Sequence, residues 1–155
     1  ETGHKRIAYI AGNEEASTNL ERERGFRDGL AERGMRIWAR GVGNYDFEQA
    51  RMATRELFGA GRERPDAVFA CNDVAALAVL QVCLEAGLRV PQDIAIVGFD
   101  DIPSASFAQP PLSTVRIDKE ALGRAGVELV MHGAELPQQT TLPVELVVRQ
   151  SSVLA

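Results

Sequence analysis

Val90-Pro91-Gln92-Asp93-Ile94-Ala95-Ile96-Val97-Gly98-Phe99-Asp100-Asp101 is the stretch that decides the fold. Its apolar run, 94–99, stops abruptly at two carboxylates. An unbroken run of this length suits a strand covered on both faces of a parallel sheet. Gly98 permits close backbone approach, and the chain then turns. Asp100 and Asp101 are therefore expected at the carboxyl end of a parallel strand. In open α/β sheets that edge is where ligands bind. A carboxylate there, beside an apolar wall, can accept hydrogen bonds from a polyol or an amine.

Strand and helix signals alternate on either side of this stretch. A β-prone run at 7–11 is closed by Gly12, and 13–19 reads as a polar loop. A helix is expected over 20–33, with Leu20, Phe26 and Leu30 on one face and Gly34 as its stop. A second strand at 35–39 leads to the Gly41-Val42-Gly43-Asn44 loop. Asp46 can cap a helix that carries Phe47, Ala50, Ala53, Leu57 and Phe58 and ends near 59–61. Pro65-Asp66 opens a third strand, 67–71. Asn72 or Asp73 caps a third helix over 74–86, and Gly87 ends it. The order β-α-β-α-β-α-β with short loops predicts an α/β fold: a doubly wound parallel sheet with right-handed crossovers. Beyond it, Pro103, Pro110 and Pro111 mark a long irregular loop. Then come a strand at 112–117, a helix from Asp118 to Val130 stopped by Gly133, a loop bracketed by Pro137 and Pro143, and a last strand at 144–149.

The chain has 155 residues, enough for one ordinary domain, with 45% hydrophobic and 25% charged residues and a net charge of −5. That balance shows no basic patch for nucleic acid in this chain. The run Glu21-Arg22-Glu23-Arg24 is charge-balanced and reads first as a solvated helix face. Cys71 and Cys83 sit in apolar runs, which favours buried free thiols and a reducing compartment, the cytoplasm. No apolar stretch is long enough to span a bilayer.

Four strand ends converge on one edge of the expected sheet. Asn13, Ser17 and Thr18 follow the first strand, with Arg22 in the first helical turn. Tyr45 follows the second, Asn72 and Asp73 the third, and Asp100 and Asp101 the fourth. An Arg donor, an Asn, an Asp acceptor and one aromatic plate suit a small polar ligand. Each has a plainer reading. Asn72 and Asp73 could be helix caps alone, Asp101 a cap for the following turn, Arg22 a surface partner of Asp28, and Tyr45 an aromatic leaning on the core. Their convergence favours a site. Other chemistry finds little support. His4 and His132 lack ligand-spaced partners, so no metal is expected. Ser104 and Ser106 lack a nearby His. Gly41-Val42-Gly43 is not a dinucleotide fingerprint, so no cofactor is expected.

The third helix is apolar nearly all round. One face meets the sheet, and a homodimer contact through Leu77, Leu80 and Leu84 is expected on the other.

These residues resemble the effector-binding domain of LacI/GalR-type bacterial transcription regulators. The resemblance is carried by His4-Lys5-Arg6-Ile7-Ala8-Tyr9-Ile10-Ala11-Gly12, Arg22-Glu23-Arg24-Gly25-Phe26, Pro65-Asp66-Ala67-Val68-Phe69-Ala70-Cys71-Asn72-Asp73 and the opening stretch. Further on it is carried by Pro111-Leu112-Ser113-Thr114-Val115 and Leu142-Pro143-Val144-Glu145-Leu146-Val147-Val148-Arg149-Gln150-Ser151. It implies a two-lobed fold, like periplasmic sugar-binding proteins, with the effector between the lobes. The effector would be a sugar, a sugar derivative, a nucleobase or a nucleoside. By resemblance the ligand-facing residues are Arg22, Tyr45 (stacking), Asn72 and Asp100, and the 74–84 helix is the dimer helix. It further implies that 1–113 is the carboxyl-terminal lobe and that 114–144 returns to an amino-terminal lobe only partly present. Residues 145–155 would be a final strand and tail. Operator DNA would be read by a helix-turn-helix that this stretch does not match. The apolar face of the returning segment (Ala121, Leu122, Ala125, Leu129, Val130) would then lack its cover, leaving it mobile or packed on another chain.

The leading expectation is thus an effector-sensing module of a DNA-binding repressor. A periplasmic sugar-binding transport receptor shares the fold and remains the alternative; a Rossmann-like enzyme would need a base and a cofactor loop that are not evident.

Overall fold

Five parallel strands and one antiparallel strand form a single sheet in the order β2-β1-β3-β4-β5-β6. The computed structural model describes residues 3–59, 63–132 and 140–153. The glycine stops expected at 61 and 133, and the loop at Pro137, lie outside them. The strands are β1 (Ile7–Ala11), β2 (Ala39–Val42), β3 (Ala67–Ala70), β4 (Ala95–Asp100), β5 (Ser113–Ile117) and β6 (Val144–Val147). The helices are α1 (Ser17–Ala31), α2 (Phe47–Leu57), α3 (Asp73–Glu85), α4 (Pro103–Phe107) and α5 (Lys119–His132). The expected doubly wound parallel sheet is present, with β6 reversing at its edge.

Strand parity assigns the helices to faces. Tyr9 and Ile10 are neighbours on β1, so they point to opposite sides. Tyr9 stacks on Phe26 of α1, with ring centroids 5.5 Å apart, and Phe26 lies 4.9 Å from Phe69 of β3. Ile10 faces the other layer, where Gly41 and Gly43 let Ala53 and Ala50 of α2 approach the sheet. Gly98 of β4 lies on that second face: a Cβ there would overlap the Asp73 carboxylate at the start of α3. The core follows from these contacts, with Ala8, Ile10, Val68, Ala70, Ala76, Val79, Ile94 and Ile96 all buried.

Several element bounds differ from the sequence reading. Helix α1 starts at Ser17, because Asn13 closes a turn whose side chain accepts the Glu15 amide at 2.8 Å. Its inward positions are Asn19, Glu23, Phe26 and Leu30, which puts Leu20 on the outside, 53% exposed. Strand β2 begins at Ala39, where pairing with Ala8 begins, so the apolar cluster at 35–38 is the approach and not the strand. The loop expected after Asp101 contains the short helix α4, with Pro103 in its first turn.

Helix α3 was expected to show a second apolar face to a partner. Leu80 is instead buried, at 4% exposure, while Leu77 is half-buried and Leu84 is 56% exposed. The sheet covers one side and α2 packs against another, which accounts for most of the all-round apolar pattern. Leu80 is therefore a core residue.

Helix α5 has no buried residue, and Leu122, Leu129 and Val130 are exposed; Ala121 and Ala125 are half-buried. Val144 and Leu146 of β6 are also exposed. The boundary expected between 113 and 114 falls inside β5, whose residues pair with β4 across Ser113 to Arg116.

Gly98→Ala should lower unfolding free energy by about 1–3 kcal/mol, because the new methyl must displace a buried carboxylate. Urea denaturation measures this; an unchanged midpoint would mean that Asp73 can move aside freely.

Candidate functional site

The carboxyl ends of β1 to β4 place the candidate residues along one edge. Helix α1 carries Arg22 across the ends of two strands. Its Nη1 donates to the Cys71 carbonyl after β3 at 2.7 Å, and its Nη2 reaches Asp100 Oδ1 at 3.4 Å. The guanidinium carbon lies 4.0 Å from the centre of the Phe99 ring, a cation–π position. Arg22 thus pairs with Asp100 and not with Asp28.

Asp100 ends β4 with one carboxylate oxygen on Arg22 and, among the described residues, no partner on the other. Burial pushes its carboxyl above the ordinary value, and Arg22 and Lys119 only partly counter it. Lys119 also donates to the Asp100 carbonyl. The 3.4 Å pair is too long to satisfy the carboxylate fully. Asp100 therefore keeps acceptor capacity toward a further donor.

Tyr45 lies across Gly12, where a side chain would overlap its ring, and its hydroxyl is 3.2 Å from Thr18 Oγ1. Asn72 has its Oδ1 committed to α3, accepting the Ala75 amide at 2.9 Å. Its capping role is real, and its Nδ2 has no partner among the described residues. Asn13 is spent on its own turn. The structure thus joins Arg22 with Asp100, and Thr18 with Tyr45; Asn72 adjoins the carbonyl that Arg22 holds, and Asn13 bonds to none of them.

Asp101 does not cap the following turn as expected. It is held by Arg149 at 2.8 Å and Arg116 at 2.6 Å. Burial opposes its charge, but these two bonds outweigh it and lower its carboxyl below the ordinary range.

One supporting residue, Asn19, escaped the sequence reading, and a second, Asp73, was read beside Asn72 at the strand end with capping as its plainer role. Asn19, fully buried, accepts the Gly12 amide at 2.7 Å and fixes the loop after β1. Its signal was its place on the inward stripe of α1. Asp73, fully buried, accepts the Thr114 hydroxyl at 2.6 Å and the Ile102 amide at 2.8 Å. Only the Asn-Asp order hinted at it, with Asn72 as the cap and Asp73 free to reach the sheet.

The non-glycine residues with left-handed backbone among the described residues are Asn44, Tyr45, Asp100 and Asp101. All lie at the carboxyl ends of β2 and β4 on this edge. Such conformations cost on the order of 1–3 kcal/mol each and gather at binding sites. A cavity of about 560 Å³ lies beside the edge, bordered by Asp101, Arg116, Lys119, Val144 and Glu145.

Residues 1–152 match the periplasmic binding protein-like domain family. The chain belongs to that family. It is 39% identical over 149 residues to the HTH-type transcriptional regulator CelR of Thermobifida fusca, covering 95% of this chain and 43% of that protein. Among solved structures, the Lac repressor dimer bound to operator and the anti-inducer ONPF superposes with a TM-score of 0.92 at 29% identity, covering 99% of this chain and 54% of that one. The CelR–cellobiose complex superposes with a TM-score of 0.86 at 35% identity, over 97% of this chain and 48% of that one. The likeness to LacI-type regulators read from the sequence is therefore upheld, and the chain spans less than half the length of the curated relatives it matches.

Asp100→Gly should raise stability by about 1 kcal/mol, since glycine relieves the left-handed strain and no buried carboxylate remains. Chemical denaturation reads it. A loss of stability would show that the Arg22 contact outweighs the strain.

Proposed function

We propose that this chain is the effector-sensing part of a DNA-binding transcriptional regulator, responding to a sugar or a related small polar ligand. The observation that carries the reading is the Arg22–Asp100 pair, which presents an under-satisfied carboxylate and a guanidinium at the ends of adjacent strands. Neighbouring hydroxyls on one ring could bond both groups at once, a match that suits Arg and Asp. The Tyr45 ring offers a face for the apolar side of a pyranose or a flat base. Asn72 contributes its free amide. The named relatives are regulators, and one solved neighbour is the CelR–cellobiose complex, which supports this reading over a transport receptor. No catalytic role is proposed.

In this reading the chain after β5 returns toward a second lobe, whose residues would cover α5 and β6. Ligand favours one closure state of the lobes, and closure shifts two DNA-reading heads of a homodimer. The coupling arises only from a difference in ligand affinity between the states, typically about 1–3 kcal/mol. Leu77 and Leu84, but not Leu80, are available to a dimer contact on α3.

The test uses the full-length protein that carries this chain. Operator affinity is measured with cellobiose, ribose and guanine in turn. One class should shift it, and Arg22→Ala should abolish that shift. Retention of the full shift in Arg22→Ala removes the residue from the site.

Effector affinity should also fall with acidity. The ionised Asp100 accepts hydroxyl hydrogen bonds, and its carboxyl is raised by burial. Its protonation, and with it the loss of affinity, should therefore set in at a higher pH than for an ordinary aspartate near 3.8. A titration of affinity against pH that is flat down to the ordinary aspartate range would contradict the role of Asp100.

A further inference from the structure

We infer that Asp101 is a positioning residue for the effector site: through Arg149 and Arg116 it fixes the turn that aims the Asp100 carboxylate, tying that carboxylate to β5 and to the segment after β6. The inference rests on the proposed role of Asp100 and deepens it.

The argument starts from the backbone. Asp100 and Asp101 have φ of 110° and 50°, so two consecutive non-glycine residues occupy left-handed space. Aspartate tolerates such values but does not choose them in succession. Something outside the dipeptide must hold them. Contacts at three successive residues do so. Lys119 donates to the Asp100 carbonyl. Arg149 and Arg116 grip the Asp101 carboxylate, one on each oxygen. Asp73 accepts the Ile102 amide at 2.8 Å.

The Asp101 contacts differ from ordinary surface pairs. The Asp101 side chain is 11% exposed and that of Arg149 is 17% exposed. Arg149 is itself braced, because its Nη1 donates to the Leu112 carbonyl at 2.7 Å and its own amide donates to Ser113 Oγ at 2.7 Å. Arg116 sits on β5 and also pairs with Glu145 of β6 at 3.1 Å. Every group that holds Asp101 therefore belongs to β5, β6 or the residues that follow it. Each oxygen of the Asp101 side chain is committed to an arginine, which fixes its orientation. Its neighbour Asp100 has, among the described residues, no hydrogen-bond partner on one oxygen. Ligand binding and positioning are thus divided between adjacent carboxylates, and moving either should disturb the other.

The test is a double-mutant cycle in the full-length protein, with effector affinity and denaturation midpoint measured for each variant. The effector used is whichever of cellobiose, ribose or guanine shifts operator binding. Asp101→Asn should weaken effector binding about tenfold, the order of loss seen when a hydrogen-bond partner that orients a binding group is removed. In an Asp100→Asn background the same change should add almost nothing, because the group being positioned is already lost. Additive effects, or lower stability with unchanged affinity, would overturn the inference. If Asp101→Asn does not fold, Arg116→Gln takes its place. Arg116 is 45% exposed, so its loss leaves the core intact. It should show a smaller drop with the same non-additivity; additivity there overturns the inference too. If Asp100→Asn alone leaves affinity unchanged, the reading of the site itself fails, and that outcome is separate from failure of the positioning role.

Discussion

A carboxylate with no exposed surface holds the candidate edge together. Asp73 sits at the first position of α3, takes the Thr114 hydroxyl from β5 and takes the Ile102 amide from the turn after β4. One side chain thus joins a helix start, a strand and the turn that carries Asp100. Burial raises its carboxyl, and the two hydrogen bonds oppose that shift. The amino end of a helix also favours negative charge at this position. Gly98 is the counterpart of this arrangement, because any larger residue would occupy the space that the carboxylate fills.

From that anchor the edge is built of charge and strain. Left-handed backbone gathers at the carboxyl ends of β2 and β4, and the side chains it presents include Tyr45 and Asp100. The charges sort by neighbourhood. Asp101, with two arginines, is driven below the ordinary aspartate range, whereas Asp100, with a single long contact, is driven above it. Two adjacent carboxylates therefore hold different roles, set by what surrounds them. Arg22 reads both β3 and β4 from α1, so the first helix, the third strand and the fourth strand must all be in register for the pair to form.

The sequence showed the sheet and this edge plainly, and the reasons are local. The 94–99 run suited a strand covered on both sides, and alternation with short loops left few topologies. Asp46 and Asn72 were legible as caps because capping is a short-range event. What escaped depended on distant partners. The cluster Met35, Ile37 and Trp38 looks like a strand until the pairing of Ala39 with Ala8 fixes the register. Leu80 looked like an outward face, but in the folded chain it is buried in the core. Asp101 looked like a cap because its arginines lie 15 and 48 residues away in the chain. Asn19 and Asp73 carry polarity inside an apolar stripe, which pattern alone treats as noise.

The central claim is that the ends of β3 and β4 receive the effector. The most direct test is a crystal structure of the full-length protein with the small molecule that shifts its operator affinity. The account predicts hydroxyl or amine groups of that molecule within hydrogen-bond distance of Asp100 and Arg22, with Asp101 still held by Arg149 and Arg116. A molecule bound elsewhere, with the Arg22–Asp100 pair untouched, would contradict it.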